Sequence, residues 1–588
     1  MTPPRLVGEW GRDLGRPLQL SNPTSWVHHE GRGFRVAVSG DVSVARGQGL
    51  FVAVVGILTV ESDHQREGQE QPQASAAGML DAVHAGRHDV WGSLVGEFAA
   101  LVIDEAREEA SLIADPFATL PLLYAARDGR LVFANDGRVL ASSQGWSLTP
   151  DHEVLALYLA DLPADPTRSF YAGIRRVAAG TRVVANRSAA IAQREYWRPA
   201  SRSPRPGWKR EDYVAAYRAA LDAAVRLRTG TRPVAVSFSG GVDSSSVYWV
   251  AREIGASPVP IAVRYPGDVA DEAEHIGVAL EGGRAEDVTF RPPGLERIGE
   301  ILSATGDPWD PLLPYIGWIV GERAQRLGCR TVLTGSLGDV VGGHNRVLGS
   351  QLARSWRWRA FRHHFASAAE SPLRTFARMI AQQPLVAVAR RGVRSAPSAR
   401  QNAYLQIARR EVVQEYQLRA RRVEVWARRL RVHPTAGEDV AFVLSQSTVH
   451  DELAGATRMH THFGLKSGHP FADRRLVDLV LSAPGELHWQ QGVSRQLLRN
   501  ALRGTLPEQV RARTSKGSFS GHFAKRMAAI LNVATPIRLQ VCEALGDQVS
   551  PRALEKALKR AEGGCSAGEA WSLAKMVVAG IWVIEGLR

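Results

Sequence analysis

Three groups of residues in this 588-residue sequence have types and spacings that could do chemistry together. The first lies in AVSFSGGVDSSSVYWV, Ala235 to Val250, where an apolar run ends on Ser239-Gly240-Gly241, an aspartate follows at 243, and serines lead into a second apolar stretch. The pattern predicts a short buried strand handing over to a helix, with the glycines at the junction. Glycines let the main chain approach a ligand closely, and the first N–H groups of a helix lack internal partners, so the junction favours phosphate. Asp243 would repel a phosphate unless a cation stood between them, and magnesium meets that need. The Walker pattern GxxxxGK[ST] is absent. The second group, Thr334, Gly335 and Asp339 in TVLTGSLGDVVGG, follows another apolar run. Asp339 reads either as the first-turn acid of a helix or as a second carboxylate on the metal, and its place at a strand end favours the metal. The third is Lys516 in RARTSKGSFSGHF, either a solvated surface charge or the cation that neutralises departing phosphate oxygens.

Bringing these groups together requires strands that end side by side. From about 211 helix and strand patterns alternate: EDYVAAYRAALDAAVRLR, PVAVSF, SSSVYWVAREIG, VPIAVR, DEAEHIGVALEG, TVLTGS. This is the signature of a doubly wound α/β fold, a parallel sheet with helices on both faces and its ligand beyond the carboxyl ends of the strands. Residues 1–197 read instead as short β runs (RVAVSG, LFVAVVGILTV, FAALVID, ASLIAD, PLLYAA, RLVFAN, TRVVAN) separated by Gly, Asp and Asn, which predicts a β-rich sandwich domain. The Pro, Ser and Arg stretch 198–210 is the expected linker, 211–588 the second domain, and the region after about 345 reads as mostly helical.

The length exceeds the roughly 250–300 residues at which one core stops growing, in keeping with two domains. The net charge of +14 is concentrated, since 346–431 holds nineteen arginines against four glutamates with no lysine or aspartate. The remainder is nearly neutral, so no nucleic-acid partner is expected. Interleaved Trp356, Trp358, Phe361, Tyr404, Tyr416 and Trp426 suit this segment either to a peptide or protein partner or to a solvated helical surface. Cys329, Cys542 and Cys565 have neither metal-site nor disulfide spacing, which points to a reducing compartment. The N-terminus lacks the pattern of a secretion signal, and MVVAGIWVIEGL is short for a bilayer and reads as a core helix. A cytoplasmic protein without membrane contact is expected.

The loop at 239–244 resembles the Ser-Gly-Gly-x-Asp-Ser pyrophosphate loop of ATP pyrophosphatases. Together with LTGSLGDVVGG, HPFADRRLVDL and RTSKGSF it is similar to the synthetase domain of the asparagine synthetase superfamily. Residues 1–197 resemble that superfamily's Ntn-amidotransferase-like domain through GEFAALVID, IADPFATLPLLYA and LVFANDGRVLAS. The resemblance implies ATP and Mg2+ as cofactors. It places Ser239, Gly240, Gly241, Asp243 and Ser244 on pyrophosphate, Asp243 and Asp339 on magnesium, Phe238, Val263, Thr334 and Gly335 around adenosine, and Lys516 on the reacting phosphate.

Glutamine-using members of the superfamily open on a nucleophilic cysteine, whereas here Met1 is followed by Thr2, Pro3 and Pro4. Their Asn-Gly-Glu run reads VVGILTV and their Arg-Asp pair reads Ala114-Asp115, so the N-terminal domain is expected to be vestigial as a catalyst. Further departures are Val340 for the glutamate of an Asp-Glu pair and Lys466 near a glutamate position. Two groups of the superfamily without a glutaminase, β-lactam synthetases and lasso-peptide cyclases, adenylate a carboxylate that an amine of the same molecule attacks. The β-lactam and carbapenam enzymes carry a base-dyad tyrosine where Ser336 stands. A peptide α-amine, with a pKa of about 7.7–8, needs little or no dedicated base. The sequence therefore reads as an ATP-dependent lasso-peptide cyclase. It would adenylate an Asp or Glu side chain of a leader-free core peptide, close an isopeptide macrolactam with the N-terminal amine, and work beside a leader peptidase and a leader-recognition protein. The alternatives are a β-lactam-forming synthetase, a tRNA-modifying enzyme and a non-catalytic ATP-binding scaffold.

Overall fold

The computed structural model describes residues 3–12, 14, 17–20, 23–61, 76–86, 90–230, 233–266, 271–308, 313–343, 352, 356–365, 402–429, 435–490, 493–514, 527, 530–533, 535–562 and 564–585. Its N-terminal part is built on twelve strands: β1 (Arg5–Gly11), β2 (Val27–Gly31), β3 (Phe34–Ser39), β4 (Val42–Gly47), β5 (Leu50–Val60), β6 (Leu94–Asp104), β7 (Glu109–Ala114), β8 (Leu123–Arg127), β9 (Arg130–Ala134), β10 (Arg175–Arg176), β11 (Thr181–Asn186) and β12 (Ile191–Glu195). They form two antiparallel sheets, ordered β10-β8-β9-β1-β3-β2 and β12-β11-β7-β6-β5-β4. The sheets face each other across a core that holds Leu6, Trp10 and Phe34 of the first and Phe51, Val55 and Leu101 of the second. The opposite face of β5 is covered too, with Val52, Val54 and Leu58 in a core with Met79 of the helix Ala76–His84. Burial on both faces is why LFVAVVGILTV is continuously apolar where a strand with one wet face would alternate.

The second part contains five parallel strands, β13 (Val234–Ser237), β14 (Pro258–Arg264), β15 (Glu286–Thr289), β16 (Thr331–Leu333) and β17 (Lys466–Gly468), in the order β15-β14-β13-β16-β17. Chain progression reverses between β13 and β16, so the crevice beyond their carboxyl ends is the topological switch point where such sheets bind ligands. One face of the sheet carries Val234, Val236 and Leu333 in a core with Tyr217 and Leu221 of the helix Arg210–Thr229 and Val247 and Val250 of the helix Val242–Glu253. The other face carries Ala235, Ile261 and Val332 against Trp318, Ile319 and Val320 of the helix Leu313–Arg326.

β17 and the last helix depart from expectation in place and in length, while the reading of that helix as a core element holds. β17 closes the sheet from within the region read as mostly helical, because three residues are too few to show a period. The helix around MVVAGIWVIEGL runs for 19 residues, Ala567–Glu585, and is the one helix among the described residues long and apolar enough to cross a membrane. It is instead a core element: Leu573, Met576, Val577 and Trp582 are buried, and the missing Cβ of Gly580 admits Val541 from the helix Arg538–Ala544.

In the described part of the Arg-rich segment Arg357, Arg359, Arg362, Arg410, Arg419 and Arg428 are exposed, in keeping with a solvated helical surface, but three arginines also make ties within the fold. Arg421 pairs with Glu153 at 2.8 Å, Arg422 donates to the Ala160 carbonyl at 2.9 Å, and Arg409 donates to the Gly546 carbonyl. Glu153 and Ala160 belong to the helix His152–Leu159 and its cap, so these guanidinia fasten one part of the fold to another.

Candidate functional site

β13 ends at Ser237 and the chain turns through Phe238–Gly241 into the helix Val242–Glu253. Phe238 is buried; its N–H donates to the Ile261 carbonyl at 2.9 Å and its ring meets Tyr248 edge-on. Gly240 has φ +70°, and a Cβ there would lie 2.8 Å from the Ile276 nitrogen and within 3.0 Å of the His275 carbonyl. Only glycine satisfies both conditions. Ser244 Oγ accepts the Ser239 N–H at 3.2 Å and lies 3.2 Å from Ser239 Oγ, which ties the loop to the first helical turn.

The loop after β16 comes against this turn because two of its residues lack side chains. A Cβ on Gly335 would fall 2.7 Å from the Ser244 nitrogen, and one on Gly338 2.5 Å from Asp243 Cβ. Asp339 is the first-turn acid of the short helix Gly338–Val341 and also lines the cavity. Ser239, Gly241, Asp243, Ser244, Thr334, Gly335 and Asp339 thus line one cavity of about 470 Å³. Phe238, Gly240 and Val263 do not line it: Phe238 is a core residue and Val263 packs against the core on one face of the sheet. Lys516 lies outside the described residues, while Arg513 and Thr514, just before it in the chain, are on the wall.

The facing wall holds residues that sequence reasoning missed: Glu452 and His460 from the helix Ser447–His462, Glu272, and the arginines 495, 499 and 513. Arg495 grips Asp243 in a two-pronged ion pair, Nε to Oδ1 at 2.7 Å and Nη2 to Oδ2 at 2.9 Å, from a left-handed backbone with φ +62°. Arg499 is buried and donates to the carbonyls of Ser494 at 3.0 Å, Arg513 at 2.7 Å and Arg511. Burial and the neighbouring charge of Arg495 push its pKa down to about 10. Arg513 pairs with Glu272 at 3.2 Å. The available signal was proximity in sequence, since Arg513 falls inside the stretch that singled out Lys516.

Beneath the floor Thr334 Oγ1 lies 2.7 Å from His469 Nδ1. The other ring nitrogen of His469 meets Thr457 Oγ1 at 2.9 Å and Ser467 Oγ at 3.2 Å, and Ser467 meets His460 Nδ1 at 2.8 Å. Both histidines are buried, and desolvation pushes each pKa down to about 3, so both are neutral near pH 7.

A cavity lined by three arginines and four carboxylates, Asp243 and Asp339 of them beside the glycine loop, can hold a polyanion and a hard cation together. The oxygen donors of Asp243 and Asp339 fit magnesium shared with nucleotide phosphates. Fold and site together give a parallel α/β sheet with a charged cavity at its switch point. The chain belongs to the asparagine synthase family, whose model matches residues 216–583, and the glutamine amidotransferase domain model matches residues 65–197. The domain at 216–583 is thus of the ATP-dependent, AMP-forming amide-ligase type, a family that uses ATP and Mg2+, and the N-terminal domain is Ntn-amidotransferase-like.

Among curated proteins it is similar to amidase chyE of Penicillium rubens, 29% identical over 164 residues that make up 27% of this chain and 24% of the amidase. Amidase chry2 of Gibberella zeae is 29% identical over 157 residues, 26% of this chain and 23% of that protein. The chain thus spans about a quarter of the length of these relatives. Among solved structures, glutamine phosphoribosylpyrophosphate amidotransferase from B. subtilis matches over 56% of this chain and 81% of its own, at 12% identity and a TM-score of 0.22. The allosteric regulatory enzyme of purine biosynthesis matches over 49% and 81%, at 11% identity and a TM-score of 0.23.

Proposed function

We propose that this ligase is a lasso-peptide cyclase, which joins a side-chain carboxylate and the N-terminal amine of one leader-free peptide. The observation that carries the reading is the convergence of the phosphate loop, Asp243, Asp339 and three arginines on one cavity at the sheet's switch point. A source of ammonia has no counterpart in the thiols: residues 1–197 contain no cysteine, Cys329 and Cys542 are buried, and desolvation raises the thiol pKa of Cys542 to about 11. A nucleophilic thiol needs the opposite shift. The attacking amine then arrives with the substrate.

In this account Ser239, Gly240, Gly241 and Ser244 cradle the β- and γ-phosphates, and Phe238, Val263, Thr334 and Gly335 shape the adenosine side. Asp243 and Asp339 would hold magnesium, whose charge would offset that of the phosphates. Nucleotide binding draws Arg495 from Asp243 to a phosphate, a two-pronged acceptor of the same kind. The substrate carboxylate attacks the α-phosphorus, pyrophosphate leaves towards Lys516 and the arginines, and the acyl-adenylate forms. The α-amine attacks the acyl carbon, AMP departs and the nitrogen loses its proton. A leader peptidase and a leader-recognition protein are the expected partners.

Acetylating the peptide's α-amine tests the order of events. Peptide-dependent exchange of labelled pyrophosphate into ATP should persist while ring closure stops, because activation and attack are separate steps. Ring closure by the acetylated peptide would refute the assignment of the nucleophile.

A further inference from the structure

We infer that the N-terminal domain holds the ligase site in shape through Glu97, a positioning residue that acts on Thr334 by way of His469. The inference rests on the reading that Thr334 flanks the nucleotide.

Glu97 lies on β6, yet its carboxylate sits in the second domain. The strands are distorted where it leaves the sheet: Gly56 and Gly96 have φ of +102° and +126°, and a Cβ on either would fall within 2.2 Å of a carbonyl oxygen of the partner strand. No other residue fits there, so the distortion is built into the sequence. Glu97 Oε1 accepts the main-chain N–H of His469 at 3.1 Å and Arg228 Nε at 2.8 Å. Arg228 also donates to Asp473 Oδ2 at 2.9 Å and to the Ala224 carbonyl at 2.7 Å. All three charged side chains are buried.

From His469 the connection reaches the cavity in one step, because its ring holds Thr334 Oγ1 and the preceding carbonyl, that of Gly468, accepts the Thr334 N–H at 3.0 Å. Thr334 is therefore gripped through main chain and side chain by a two-residue segment whose own N–H is anchored on a carboxylate of the other domain. A charged acceptor holds that N–H more tightly than a neutral one. An ordinary packing contact between domains needs neither the charge nor a chain of bonds ending in the nucleotide wall.

The test is calorimetric titration of the full chain with Mg·ATP, well below the melting temperature of each variant. Glu97→Gln and His469→Ala should each weaken Mg·ATP binding by about tenfold, the scale of one net hydrogen bond lost from the support of a binding group. Glu9→Gln is the control. Glu9 is another buried carboxylate of the N-terminal sheets, paired with Arg35 at 2.8 Å and Arg130 at 3.1 Å, and its loss should lower the melting temperature with affinity unchanged. Should Glu97→Gln fail to fold, His469→Ala decides, because it cuts the same chain beyond the interdomain ion pair. Wild-type affinity in the folded members of this pair, or an equal loss in Glu9→Gln, would overturn the positioning role and leave the ligase reading standing. Failure of the wild-type chain to bind Mg·ATP would overturn both.

Discussion

The ion pair between Asp243 and Arg495 defines the resting charge of the nucleotide cavity. A carboxylate beside a phosphate loop is a liability until its cation arrives, and Arg495 fills that role without nucleotide. Replacing it with methionine should leave Asp243 facing the phosphates uncompensated and weaken ATP binding about tenfold or more without magnesium, with a smaller loss when magnesium is present. Equal losses under both conditions, measured by titration, would show that Arg495 does not share Asp243 with the metal. Asp339→Ala should remove nearly all substrate-dependent pyrophosphate release with the melting temperature nearly unchanged, since this exposed side chain supports no core. Near wild-type release would remove Asp339 from the metal site. The buried histidines give a pH signature of known sign. Their folded pKa values lie near 3 and the unfolded value is about 6.5, so their contribution is complete above pH 6.5 and is lost as the pH falls towards 3. Urea unfolding from pH 7 to 4 should show stability falling with acid, and His460→Asn should reduce that slope by about one proton. An unchanged slope would mean that His460 is solvated. The loop residues and both carboxylates were legible in the sequence because short local patterns dictate them. Arg495 was not, since it meets Asp243 across 252 positions and nothing local marks it.

At the scale of elements, legibility followed burial. β5, β13 and β14 announce themselves as apolar runs because both of their faces are covered, whereas β1 was missed because RLVGEWG carries a charge into the interior: Glu9 is buried and paired with Arg35 and Arg130. β17 was invisible for want of length. In the Arg-rich segment composition suggests a surface, and most described arginines are exposed, but it could not show that Arg421 and Arg422 tie the segment to the helix His152–Leu159 and its cap. Arg421→Gln should accordingly cost about 0.5–1 kcal/mol of stability at low salt and less at high salt, as expected of a half-exposed pair. ATP affinity should not change. A variant of wild-type stability that bound substrate peptide more weakly would return Arg421 to the partner-binding reading.

The whole molecule joins two domains that match different family models. The N-terminal sheets bring no cysteine to the chemistry, yet they send Glu97 into the second domain, where it meets Arg228 and the segment that holds Thr334. Nothing in GEFAALVID distinguishes a strand glutamate that faces water from one that crosses a domain boundary, so this link is a property of the assembled fold. We propose that the cavity at the switch point adenylates a carboxylate for attack by an amine of the same peptide. It is tested most directly by incubating the full chain with Mg·ATP and a leader-free peptide bearing a free N-terminus and an internal Asp or Glu, then reading the nucleotide products and the peptide mass. The account predicts AMP and pyrophosphate, no ADP, and a peptide lighter by one water, with glutamine having no effect. Release of ADP, or an unchanged peptide beside a small β-amino acid closed to its lactam, would contradict it.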